Sequence, residues 1–90
     1  EVSSFQNFTV EGVLSELSSG HILVALMGPG HFTGSGHFII ITDYWTGTQV
    51  RVADPASLEN TQTPWEVQTL LDELSHFANS GGPVWSISPK

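Results

Sequence analysis

The chain has no cysteine. That rules out disulfides, thiolate metal sites and a cysteine nucleophile within these residues, and it leaves the compartment open. Cations are nearly missing too. Arg51 and Lys90 stand against nine carboxylates, for a formal charge of −7. Nucleic acid needs a basic footprint and an anionic membrane surface attracts one, so the balance argues against both as partners. No apolar run is long enough to span a membrane. The longest, around Ile22 to Met27 and Phe38 to Ile41, are strand-sized, and no membrane insertion is expected. The chain opens at Glu1 with neither an initiator Met nor a signal-like segment, which suggests a piece of a longer polypeptide.

What is present fits one small domain of ninety residues with an ordinary apolar content. Glu1 to Phe8 reads as a loose strand or a lead-in. Thr9 is a good N-cap, and Val10, Val13, Leu14 and Leu17 fall on one helical face, so a helix is expected over Val10 to Ser18 with Gly20 just past its end. His21 to Met27 reads as a buried strand. A glycine-rich loop, Gly28 to Gly36, follows. It lacks GxGxxG and GxxxxGK[ST] and no helix succeeds it, so a phosphate cradle is not expected. Thr63-Pro64-Trp65-Glu66 has the form of a capping box, with Thr as N-cap and Pro at N1. It predicts a helix from there to about Phe77, with Val67, Leu70, Leu71, Leu74, Phe77 and Ala78 on its buried stripe. Leu58 to Gln62 reads as a polar loop and Val84 to Ser88 as a last strand. Short connections favour an α+β arrangement, an antiparallel sheet with helices packed against it.

The informative stretch is Gly36 to Tyr44, a turn at Trp45-Thr46-Gly47-Thr48, and Val50 to Pro55. It reads as a β-hairpin. A two-residue loop at Thr46-Gly47 pairs Tyr44 with Gln49, Asp43 with Val50, Ile41 with Val52 and Ile39 with Asp54. Strand side chains alternate, so His37, Ile39, Ile41, Val50, Val52 and Asp54 share a face. His37 and Asp54 become diagonal neighbours there, with Cα atoms roughly 7–8 Å apart. An imidazole and a carboxylate bridge such a gap. One reading is a base–orienter pair, in which His37 moves a proton and Asp54 fixes the ring. The other is a histidine at a strand start and an aspartate opening an Asp-Pro turn.

The sequence of elements, with "GH" and an apolar strand at Gly36-His37-Phe38-Ile39-Ile40 and Val50-Arg51-Val52-Ala53-Asp54-Pro55 behind it, resembles the C-terminal half of C39-like, papain-fold cysteine peptidases. The closing Pro83-Val84-Trp85-Ser86-Ile87 also matches. The resemblance runs from Thr9 onward. It implies a fold like the β-lobe of papain-like peptidases, with His37 and Asp54 catalytic, a peptide substrate (a leader peptide or a cell-wall peptide) and no cofactor. An extracellular or cell-envelope setting in a bacterium suits such substrates. The family's nucleophilic Cys and the Gln before it have no counterpart here; Gln6 is the only early Gln, and no Cys follows it. The expected partner is therefore a Cys-bearing N-terminal segment or chain of the same protein. A degenerate domain of this fold that binds without cutting is the alternative.

Substrate contacts are expected from His31, Gly36 and Trp45, around the glycine-rich loop and hairpin. A metal site built from His21, His31, His37 or His76 with Asp43 or Asp54 is disfavoured, since no HExxH or similar spacing occurs. Asp43 is placed on the face of His37 but too far along it to orient the ring. His37→Ala and Asp54→Ala are expected to abolish turnover with little loss of folding, when the Cys half is present.

Overall fold

The computed structural model describes residues 1–76 and 81–89. Its elements run β1 (Val2–Ser4), α1 (Val10–Ser18), β2 (Ile22–Met27), β3 (His37–Thr46), β4 (Gln49–Ala53), α2 (Leu58–Gln62), β5 (Trp65–Glu66), α3 (Val67–Asp72) and β6 (Val84–Ile87). The six strands form one antiparallel sheet in the order β1-β6-β2-β3-β4-β5. This is the α+β architecture expected from the sequence. The long strands β2, β3 and β4 lie at its centre, and the three- and two-residue strands close its edges, where a short strand offers little unpaired backbone to other chains.

Alternation sorts the side chains. Leu23, Ala25 and Met27 of β2, Ile39 and Ile41 of β3, Val50 and Val52 of β4 and Val84 of β6 face one way, and all are buried. Val13 and Leu17 of α1, Val67 and Leu70 of α3, and Phe5, Phe32 and Leu74 join them in the core. Helix α1 ends as its sequence predicts. The Thr9 side chain accepts from the Gly12 N–H at its start. At its end the Gly20 N–H donates to Leu17 O and the His21 N–H to Glu16 O, with Gly20 at φ 84°. These are the two bonds of a Schellman motif, which needs a residue at ease in the left-handed region.

Two expectations fail. Thr63-Pro64-Trp65-Glu66 does not start a helix. Thr63 is extended (φ −96°, ψ 129°) as the C-cap of α2, a conformation that the following proline favours. Trp65 and Glu66 pair with Val50 and Gln49 as β5, and Thr48 Oγ1 donates to Glu66 Oε1 at 2.5 Å. Cross-strand pairing and burial of an indole outweigh a local capping preference. Helix α3 begins only at Val67 and ends at Asp72; His76 lies beyond it rather than at a helix end. Phe77 and Ala78 lie outside the described residues. In turn, the segment read as a polar loop is helix α2, with the Ser57 side chain accepting from the Asn60 N–H.

Two substitutions test this framework. Leu23 is fully buried at the sheet centre, and Leu23→Ala should cost about 2–5 kcal/mol of unfolding free energy in urea. Thr9→Ala removes the cap and an exposed bond to the Asn7 side chain and should cost about 1 kcal/mol. Equal, small losses in both would contradict the assigned core.

Candidate active site

The β3–β4 hairpin sets the site. Ile41 pairs with Val52 and Ile40 with Ala53, as the alternation of the sequence requires. Toward the turn the pairing slips at two bulges, so that Asp43 pairs with Arg51, Tyr44 with Val50 and Thr46 with Gln49. The two-residue loop is therefore Gly47-Thr48, with Gly47 at φ 58°. The first bulge also moves Asp43 off the face of His37: it now stands opposite Arg51, and Thr42 Oγ1 donates to its carboxylate at 2.7 Å. The slip is confined to the turn end, so the open end keeps the register that brings His37 and Asp54 together.

There, His37 Nε2 and Asp54 Oδ1 are 2.7 Å apart. The Asp54 side chain is wholly buried, while 22% of the His37 side chain is exposed. The carboxylate is further held by the Ala56 N–H on Oδ1 at 2.9 Å and by Asn60 Nδ2 on Oδ2 at 3.0 Å. Its backbone is pinned as well, since the Asp54 N–H donates to Thr61 Oγ1 at 2.9 Å. Burial pushes the Asp54 carboxyl upward. The bonds from Asn60, His37 and Ala56, with the attraction of the His37 ring, outweigh it and hold the group below the usual aspartate range. An anion facing Nε2 keeps that nitrogen protonated, which leaves Nδ1 as the ring nitrogen able to exchange a proton with a reactant.

Ala56, Asn60 and Thr61 support the carboxylate, and a loop over Leu58 to Gln62 would not bring Asn60 and Thr61 to it. The sequence signal for α2 is Ser57, an N-cap residue, followed by Glu59 in the first turn. Asp54→Ala would take the acceptor away from the Ala56 N–H and the Asn60 amide, two part-buried bonds, so that variant is expected to lose some stability along with the pair.

Of the other expected site residues, Gly36 adjoins the pair, His31 is bonded to Glu73, and Trp45 lies at the turn end of the hairpin. His31 Nδ1 is hydrogen-bonded to Glu73 Oε2, its backbone N–H donates to Glu73 Oε1 at 2.6 Å, and its ring meets Trp65 edge-on at 5.4 Å. Phe32 packs on the same indole at 4.6 Å. A Cβ on Gly30 would lie 2.1 Å from Glu73 Oε1, so the close backbone approach that the glycines permit is made to the chain's own carboxylate. Gly36 is exposed directly before His37, and a Cβ there would come no nearer than 4.0 Å to another group, Met27 O. Trp45 is half exposed under the Arg51 guanidinium, 4.9 Å from its ring centre. Eight residues along β3 from His37, it stands roughly 26 Å away. His21 belongs to a separate cluster, with Nδ1 2.5 Å from Glu16 Oε1, which also accepts from Ser86 Oγ at 2.6 Å. Among the described residues no three His, Asp or Glu side chains converge as metal ligands, and no helix is long and apolar enough to cross a membrane.

A family model described as "Peptidase_C39 like family" matches residues 1–88. The chain belongs to this family, and the match covers nearly all of it. No curated protein and no solved structure matches the chain.

The low carboxyl of Asp54 has a consequence for stability. A group whose folded pKa is depressed contributes fully above its unfolded value, near 4, and that contribution is lost as pH falls through the folded value. Urea denaturation between pH 6 and 2 should therefore show stability falling below about pH 4. In Asp54→Asn the fall should be shallower, with Glu16, also held low by Ser86 and His21, supplying part of what remains. An identical acid slope in the variant would contradict the assignment.

Proposed function

We propose that this chain is the His/Asp-bearing part of a cysteine peptidase or amidase, with the nucleophilic Cys supplied by a segment or chain outside these ninety residues. The observation that carries the reading is the His37 Nε2–Asp54 Oδ1 bond of 2.7 Å, with a wholly buried orienter and a partly exposed ring. Membership of the C39-like family supports it. A fold like the β-lobe of papain-like peptidases belongs to the same proposal.

In the reaction, His37 Nδ1 takes the proton of the cysteine thiol, and the thiolate–imidazolium pair lowers the thiol's pKa. The sulfur attacks the carbonyl carbon of a peptide bond. As the C–N bond breaks, His37 returns the proton to the leaving amine nitrogen. It then takes a proton from water, which attacks the thioester and releases the thiol. Asp54 remains anionic throughout and balances the imidazolium. The substrate is a peptide, either a leader peptide or a cell-wall peptide. The net charge of −7 favours a cationic segment beside the scissile bond. His31 and Gly36, in and at the end of the loop before β3, are the nearer candidates for substrate contact; Trp45 would meet only a long extended substrate.

One observation favours a second reading. With no cysteine in the chain, the same fold could serve as a binding module that performs no chemistry. Peptide cleavage by the natural polypeptide and whatever copurifies with it separates the two. Turnover should fall about 10²–10⁴-fold in His37→Ala, with a modest loss of melting temperature because Asp54 keeps its bonds to Ala56 and Asn60. Undiminished turnover in that variant would sink the peptidase reading of His37. Peptide binding without any cleavage would favour the binding module.

A further inference from the structure

The proposed reaction uses His37 and Asp54, but the structure invests more in holding Asp54 than a strand end requires. We infer that Asn60 is a positioning residue for the pair, and that the Trp65 indole locks it in place. The inference rests on the proposed function for its catalytic meaning and on geometry for the positioning itself.

A carboxylate that accepts a single hydrogen bond can turn about its Cβ–Cγ bond and offer either oxygen to an imidazole. Asp54 cannot do so without losing another bond. Oδ1 is shared by His37 Nε2 and the Ala56 N–H, and Oδ2 is occupied by Asn60 Nδ2 at 3.0 Å. The Ala56 bond lies within the turn of Asp54 itself, only two residues on. Among the described residues, Asn60 is the one side chain that fixes the far oxygen, and so the carboxylate plane.

Asn60 is in turn tied down at three points. Its N–H donates to the Ser57 cap at 3.1 Å, its carbonyl accepts from Trp65 Nε1 at 3.0 Å, and its amide reaches Asp54. Trp65 belongs to β5, paired with Val50, and carries Phe32 and His31 of the glycine-rich loop against its ring. A continuous contact path thus runs from the loop through Trp65 and Asn60 to Asp54 and His37. It also explains why the five-residue α2, which has no buried residue, is folded as a helix at this place. Its first turn delivers the Asn60 amide to the carboxylate while its main chain meets the indole.

The test combines a spectroscopic readout with kinetics on the full natural polypeptide. In the wild type, the Nε2–H proton of His37 should appear far downfield and exchange slowly with water. Asn60→Ala removes the donor. Asn60→Asp keeps the shape and the main-chain bonds to Ser57 and Trp65 but sets a second carboxylate against Asp54, where like charges oppose joint ionisation. Trp65→Phe keeps an aromatic ring for Phe32 and removes the indole N–H together with part of the ring surface.

In the two Asn60 variants the Nε2–H signal should shift or broaden into water exchange, with a smaller effect in Trp65→Phe. Where peptide turnover is measured, kcat should drop about 10- to 100-fold with KM little changed. Lost stability with an unmoved Nε2–H signal in a folded variant would make Asn60 merely structural and overturn the inference. Should Asn60→Ala fail to fold, the isosteric Asn60→Asp and Trp65→Phe decide by the same signal. Absence of turnover in every form, wild type included, would count against the peptidase reading alone, because the proton signal reports positioning without it.

Discussion

The buried Asp54 carboxylate is the point on which the site depends. A charge placed out of water needs compensation, and here it is met by three hydrogen bonds from three directions: an imidazole from β3, a backbone N–H from its own turn and an amide from α2. Each donor requires a different part of the fold to be in place. The hairpin must hold its register, Pro55 must send the chain away from the sheet, and Ser57 must start a helix in time. A carboxylate so held is also anionic over the whole physiological range, which is what an orienter of an imidazolium has to be.

The hairpin register was legible because one face is buried. A slip of one residue would put Val50 and Val52 on the face opposite Ile39 and Ile41, so the apolar alternation fixes the pairing of Ile41 with Val52. The same pattern could not locate the bulges beyond Ile41. Thr42 to Thr48 are polar or exposed, and no burial penalty there chooses one pairing over another. The His37–Asp54 pair is legible in the sequence for the first reason, and the position of Asp43 is not for the second.

The region after β4 was the least legible. Thr63-Pro64-Trp65-Glu66 carries every local mark of a helix start, yet Trp65 and Glu66 form a strand because Val50 and Gln49 are available as partners and the indole has a place against Phe32 and the Asn60 carbonyl. Local propensity gives way to burial that only the assembled sheet provides. The same error hid Asn60, since a helix placed too late leaves α2 looking like a connector. His31 shows a related limit. Its sequence neighbourhood suggests an open loop, while in the fold Glu73, forty-two residues away, holds it.

The family match supports a peptidase-related role, and the absence of cysteine sets the central question of whether a nucleophile joins this chain from outside these residues. The most direct measurement is the rate of iodoacetamide alkylation of cysteines in the natural polypeptide and its copurifying partners, from pH 5 to 9, with and without His37→Ala. The account predicts one cysteine that reacts fast at pH 6, well below the ordinary thiol range near 8.5, and that slows at least about tenfold in the variant. Lack of any such cysteine, or a fast cysteine indifferent to His37, would contradict it.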